Sequence, residues 1–331
     1  MPISPYILAL PKAELHLHLE GSADPATLAE LSRRHDAGTS RLLDEAAVER
    51  LYQYRDFLGF LNAFKEVVER LRTPDDYELI TYRLMQKLKA ENVLHAEVFV
   101  SVGVIHWYKL DFDSIFEGLE RGRQSGQRDF GVSLLWIFDA VRQFGAERAR
   151  RVFDQAVRCR ERGVVGIGIG GDENRGPAEM FRDQYAYAAS HGLRLTCHAG
   201  EAAGPESIVA ALDVLKAERI GHGLNAWRDQ ALMARLAAEQ VPIEVSVSSN
   251  LRTGCCATLT DHPLRHFFDR GLMVVLNSDD PAMFQTSLAR EYQLAQDSFA
   301  FTDAELRTLA MNSFRASFLS ENKKQHYLSM F

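Results

Sequence analysis

The sequence predicts an α/β chain closed into a (β/α)8 TIM barrel, with extra helices after the first strand and at the C-terminus. Three observations carry that expectation. Eight strand-like runs alternate with helical segments in an unbroken rhythm, and the runs are apolar enough to be buried on both faces, as parallel strands are. Histidines and acids follow the strands, where barrels of this type build their sites. A doubly wound open sheet is the alternative, but its phosphate-binding glycine fingerprint is missing after the first strand.

The first strand is Glu14-Leu15-His16-Leu17-His18-Leu19-Glu20, a strict polar and apolar alternation. Residues two apart share a face, so Glu14, His16, His18 and Glu20 are expected to point one way and the leucines the other. With both faces buried, the imidazoles need compensation, and a metal ion supplies it.

Asp24-Pro25 is a helix start, an acidic cap before a proline, and the helix runs to about His35. From about Thr39 to Thr73, Phe57, Leu58, Phe60, Leu61 and Phe64 recur at helical spacing. Such a stripe is ordinarily core; as extra material after the first strand, it is also placed to roof a pocket. Thr73-Pro74 opens a helix to about Lys89, and Leu94 to Val100 is the second strand. Further strands are expected at Val132 to Phe138, Val164 to Ile169, Leu193 to Cys197, Arg219 to Gly221, Ile243 to Val247 and Met273 to Leu276. Pro177 precedes a helical Ala178 to Ser190, and Gly204-Pro205 precedes Glu206 to Lys216. The tail from Ser287 reads as helical, and Thr302-Asp303-Ala304-Glu305 is a capping-box start. No linker or repeat interrupts the chain, so residues 1–331 are read as one domain.

Composition narrows the function classes. With 46% hydrophobic and 25% charged residues, the 331-residue chain can bury a large core. Its formal net charge of -7, with acids and bases interspersed, disfavours nucleic acid as a partner. Cys159, Cys197, Cys255 and Cys256 show no disulfide framework or zinc-ribbon spacing and are read as reduced thiols of a cytoplasmic protein. Neither a signal segment nor a bilayer-length apolar run is present, so no membrane is expected as a partner.

At the strand ends stand His16, His18 and Glu20; Gly170-Gly171-Asp172-Glu173; His198-Ala199-Gly200-Glu201; His222; and Ser278-Asp279-Asp280-Pro281. Three imidazoles and a carboxylate suit zinc, though iron, cobalt or nickel accept the same donors. Such a site makes a water nucleophilic near neutral pH; a further histidine can steer or deprotonate it, and a glutamate can protonate the substrate. That is hydrolytic chemistry at an electrophilic carbon.

Together, Pro11-Lys12-Ala13-Glu14-Leu15-His16-Leu17-His18-Leu19-Glu20-Gly21, Gly171-Asp172-Glu173, His198-Ala199-Gly200-Glu201, Arg219-Ile220-Gly221-His222-Gly223 and Ser278-Asp279-Asp280-Pro281 resemble the adenosine deaminase family of the amidohydrolase superfamily, in the family's order. The resemblance implies hydrolytic deamination of a 6-aminopurine, with zinc held by His16, His18, His198 and Asp279. It makes Glu201 the proton donor to purine N1 and His222 the group that orients and deprotonates the water. Asp280 would then bond N7, and the Gly171 amide would meet N3. Binuclear relatives use a lysine after the fourth strand; no lysine occurs between Lys109 and Lys216, so one zinc ion per chain is expected. The His-x-Glu and Pro-Cys-x-x-Cys signature of cytidine-type deaminases is lacking.

Substrate choice turns on departures from the pattern. Glu20 stands where adenosine deaminases place an aspartate that contacts the sugar 5'-hydroxyl, and adenine deaminases of the family also carry a glutamate there. Ser249-Asn250-Leu251-Arg252-Thr253-Gly254, by contrast, looks more like the nucleoside-acting branch. A purine nucleoside modified at its 5' end, of the kind taken by aminodeoxyfutalosine deaminases, fits both features. Ser101-Val102-Gly103 through His106-Trp107-Tyr108 would wall that end. Free adenine is the alternative substrate.

Overall fold

The computed structural model describes residues 2–54 and 56–331. Eight parallel strands stand side by side in chain order: β1 (Lys12–His18), β2 (Val93–Val100), β3 (Ser133–Val141), β4 (Val164–Gly170), β5 (Arg194–Ala199), β6 (Arg219–His222), β7 (Ile243–Val245) and β8 (Val274–Leu276). Each pairs with the next, and helices fill the crossovers. Past the end of β8, Asp279 closes the ring against β1. Its N–H donates to the His16 carbonyl (3.1 Å) and its carbonyl accepts from the His18 N–H (2.8 Å). The chain is therefore a (β/α)8 barrel, as the alternating pattern predicts.

The first strand departs from strict alternation. Its register against β2 shifts between Glu14 and Leu17, where the Leu15 and His16 N–H groups both donate to Asn277 Oδ1 (2.8 and 3.0 Å). A bulge of this kind resets which face follows. Glu14 consequently does not share the histidines' face: its carboxylate accepts from the Ser278 N–H (2.9 Å) and borders a cleft with Leu17. Leu15 packs with Ala13, Val275, Phe314 and Ala316, whereas Leu17 and Leu19 join the main core.

The stretch after β1 holds three helices, Pro25–Asp36, Glu45–Leu51 and Phe57–Val68, where Asp24, Asp44 and Asp56 each cap through their carboxylates. Core packing accounts for only part of the aromatic stripe: Phe60 and Phe64 pack against the core, but Phe57 (49%), Leu58 (67%) and Leu61 (43%) are exposed. Phe60 stacks on Phe284, in the loop after Asp280, at 5.1 Å. Helix Pro74–Ala90, which precedes β2, packs closely on helix Phe112–Phe130, which follows it, because at Gly118 an added Cβ would lie 2.0 Å from the Pro74 carbonyl oxygen.

Inside the barrel, beneath the strand ends, Arg219 is fully buried between Glu97 (2.5 Å) and Glu244 (2.6 Å). The Arg219 guanidinium also lies 3.7 Å over the Phe318 ring, which follows helix Asp303–Ala316. Burying these charges is costly unless each meets a partner, and this network gives each one.

Candidate active site

Local backbone geometry brings the site together. β1 ends with His18, β5 carries His198 as its penultimate residue, and β6 ends with His222. His222 (φ 62°) and Asp279 (φ 64°) are both left-handed, a conformation that costs non-glycine residues of order 1–3 kcal/mol and persists only where the surroundings impose it. For Asp279, the two hydrogen bonds to β1 impose it.

Four imidazoles converge. The ring of His16 lies 4.5 Å from that of His198, 5.0 Å from His222 and 5.4 Å from His18. Asp279 Oδ1 is 3.4 Å from His18 Nε2 and 3.7 Å from His16 Nε2, while its Oδ2 accepts from Ser249 Oγ (2.6 Å). Two triplets, His16/His198/His222 and His16/His18/Asp279, each bring donor atoms within 4.8 Å of one another.

The donor set fits a cation. His16 Nδ1 donates to Glu244 Oε2 (2.8 Å), itself paired with Arg219, so His16 Nε2 keeps a lone pair; that atom is buried without a partner. His198 Nδ1 donates to the Ile169 carbonyl (3.1 Å), so its Nε2 is likewise a lone pair, 3.3 Å from His18 Nε2. Burial, then the neighbouring imidazoles, holds His16 and His198 well below the ordinary histidine value. Neutral rings with converging lone pairs beside a carboxylate are what a divalent metal takes, and the outer hydrogen bonds set each ring's orientation.

The expected acid–base groups lie alongside. Glu201 Oε2 is 3.7 Å from His222 Nε2. Burial raises the Glu201 pKa, with His222 opposing. Burial works against protonation of His222, but the Glu201 and Asp279 carboxylates outweigh it and raise its pKa. The Glu201 loop hangs on Glu173, whose Oε2 accepts from the Gly200 N–H (2.8 Å) and whose Oε1 accepts from the N–H groups of Glu201 (2.9 Å), Ala202 (2.9 Å) and Ala203 (3.2 Å).

Asp280 is buried with Oδ1 unpartnered, and burial followed by the Asp279 charge pushes its pKa well up. It fits only because residue 21 is glycine, where an added Cβ would meet Asp280 Oδ1 at 1.9 Å. Gly171 (φ 96°) is exposed beside Gln143, one residue beyond Gly170, which abuts His198. Glu20 opens a short 3-10 turn after β1 rather than extending the strand. Its Oε1 accepts from the Ser101 N–H (3.0 Å), its Oε2 has no partner, and burial raises its pKa to about 7. Trp107 is 55% exposed and stacks on Phe144 at 4.9 Å.

Several residues at this centre escape a reading by strand ends alone. Glu244, Arg219 and Glu97 hold His16 from below. Asn250 and His262 back His222, with Asn250 Nδ2 3.1 Å from His222 Nδ1 and Asn250 Oδ1 3.1 Å from His262 Nε2. Asp139, near the end of β3, is buried with Oδ1 unpartnered; burial, then Glu20, pushes its pKa well up. The available signal was a charged residue inside an otherwise apolar strand.

Known proteins align with this chain along most of its length. The family profile described as adenosine deaminase matches residues 11–331. An aminodeoxyfutalosine deaminase of Streptomyces avermitilis is 38% identical over 316 residues, covering 95% of this chain and 88% of that protein. An adenine deaminase of Streptomyces coelicolor is 38% identical over 318 residues, covering 96% and 93%. The crystal structure of adenine deaminase from Arthrobacter aurescens superposes with a TM-score of 0.91 at 33% identity, covering 97% of this chain and 98% of that one.

Proposed function

The chain belongs to the adenosine deaminase family, and from that premise we propose that it removes the 6-amino group of a purine nucleoside by hydrolysis, releasing the 6-oxo product and ammonia. The observation that carries this reading is the buried cluster of imidazole lone pairs beside Asp279, with Glu201 and His222 next to it. His16, His18, His198 and Asp279 would hold one zinc ion, which when bound makes water nucleophilic near neutral pH.

The remaining work falls to side chains. Glu201, whose pKa burial raises, keeps a proton to give to purine N1, making C6 electrophilic. His222 orients the attacking oxygen through Nε2. Asp280, whose pKa burial raises, would donate to N7, and the Gly171 amide would meet N3. The loop carried by Glu173 keeps Glu201 in place. We read residues 1–331 as one catalytic domain. Among the described residues no helix is long and apolar enough to cross a membrane, and with four free cysteines a cytoplasmic location is the consistent assignment.

A nucleoside with a modified 5' end is the preferred substrate, and free adenine is the second reading, favoured by the equal identity of the adenine deaminase relative. Support for the nucleoside comes from the unpartnered Glu20 Oε2 and from the open apolar faces of Phe57, Leu58 and Leu61, available to cover an extended ligand. Ammonia release from adenine, adenosine, 5'-deoxyadenosine, methylthioadenosine and aminodeoxyfutalosine tests it, in wild type and Glu20→Gln. The extended nucleoside should have the highest kcat/KM, and Glu20→Gln should lower it roughly tenfold to a hundredfold. Adenine emerging as the best substrate would refute the nucleoside assignment.

A further inference from the structure

Asp139 is a second buried carboxyl at the barrel mouth whose bonding the fold leaves incomplete. It lies over β4 where that strand carries glycine. An added Cβ at Gly168 would come within 2.9 Å of Asp139 Oδ1, and one at Gly170 would be 3.4 Å from both Asp139 Oδ2 and His198 Cε1. The missing side chains of β4 thus make room for Asp139 beside the metal ligands, and its Oδ2 lies toward Gly170. Arg142, in the turn after β3, bonds elsewhere: Nη1 donates to the Gly176 carbonyl (2.6 Å), and Nη2 donates to the His198 carbonyl and Cys197 Sγ (2.5 and 3.2 Å). Among the described residues neither Asp139 nor Glu20 makes an ion pair, and each keeps one buried oxygen unpartnered. A buried oxygen without a partner is unfavourable, and a ligand donor relieves it.

Purine chemistry identifies the donor. On the reading above, C6 faces the metal ligands and N3 the Gly171 amide. N3 is separated from N9 only by C4, so the sugar would leave the ring beside Gly170 and Gly171, the side on which Asp139 Oδ2 lies. We infer that Asp139 is a specificity-determining residue that, with Glu20, receives a hydroxyl group of the substrate's ribose. The inference rests on the nucleoside reading of the site. A hydroxyl both donates and accepts, so it can satisfy two neighbouring carboxyl groups; free adenine offers only its N9–H there.

The test is a cycle between residue and substrate. kcat/KM is measured for adenosine, 2'-deoxyadenosine, 3'-deoxyadenosine and adenine with wild type and Asp139→Asn, and adenosine binding to the metal-free proteins is followed by calorimetry. Asp139→Ser, a smaller replacement, serves if the asparagine variant does not fold. Loss of one hydroxyl should cost wild type tenfold to a hundredfold. Asp139→Asn should cost adenosine a similar factor but add little for the deoxynucleoside lacking the partner hydroxyl, with adenosine binding weakened in parallel. An equal loss on every substrate, a loss confined to adenine, or no loss would overturn the assignment. Wild-type turnover separates the two claims: an enzyme that accepts nucleosides but shows no coupling refutes only Asp139, whereas one that accepts adenine alone refutes the nucleoside reading and this inference with it.

Discussion

Asn250 holds its side-chain nitrogen 3.1 Å from His222 Nδ1, and that contact sets how His222 can act. The polarity originates two residues away. The Leu264 N–H donates to His262 Nδ1 (3.2 Å), and His262, whose pKa burial lowers to about 4, is neutral, so its one proton sits on Nε2 and goes to Asn250 Oδ1. Asn250 must then turn its NH2 toward His222, making Nδ1 an acceptor. Neutral His222 consequently carries its proton on Nε2, toward Glu201 and Asp279, and meets an attacking oxygen as a donor.

Asn250→Asp should reverse that polarity, because a carboxylate accepts from Nδ1–H. The expected result is a loss of tenfold or more in kcat with metal content retained, and 15N spectra in which the His222 proton has moved to Nδ1. Wild-type kcat with an unmoved proton would show that Asn250 does not orient the ring.

Purified protein should contain one divalent ion per chain, since the proposed ligands form a single set and no lysine between Lys109 and Lys216 is available to bridge a second ion. Elemental analysis of active protein never exposed to chelator decides this. Two stoichiometric ions, or none, would refute it.

Glu201→Gln should keep its metal and lose about a hundredfold or more in turnover, the usual order for a general acid. His198→Ala should instead lose metal, because it removes one of the ring nitrogens that converge with His16 and His18. Near-normal turnover in Glu201→Gln would remove Glu201 as proton donor.

Glu20 makes stability depend on pH in a stated direction. Burial raises its pKa from 4.5 to about 7 in the folded chain. Between those values the native state binds more protons than the unfolded state, so this contribution is complete below pH 4.5 and is lost as pH rises through 7. Glu20→Gln cannot ionise. In denaturant titrations of metal-free protein, its stability relative to wild type should be higher at pH 8 than at pH 5, by up to roughly 3 kcal/mol. A difference that does not change with pH would show that Glu20 titrates normally.

Much of this site was legible because strand ends write it in local sequence. His16, His18, His198, His222 and Asp279 each follow or end an apolar run, and barrel geometry alone brings them to one rim. Asp139 obeys the same rule, near the end of Ser133–Val141, and was passed over because a lone acid in a strand has no motif around it. The pairing of Arg219 with Glu97 and Glu244 was invisible for another reason: it spans three strands, and a charge on one strand does not announce its partner. The bulge that turns Glu14 from the histidines depends on Asn277, 262 residues from Leu15, so alternation within β1 could not reveal it.

The same residue that seals the ring, Asp279, belongs to the donor cluster, and this orders events during synthesis. His16 and His18 leave the ribosome early and His198 later, but Asp279 emerges only when most of the chain has been made. Until then the nascent protein exposes an open sheet edge at β1 and an incomplete set of donors. Ring closure and completion of the proposed donor set therefore both wait for Asp279, and a chain truncated before it should neither close nor retain an ion.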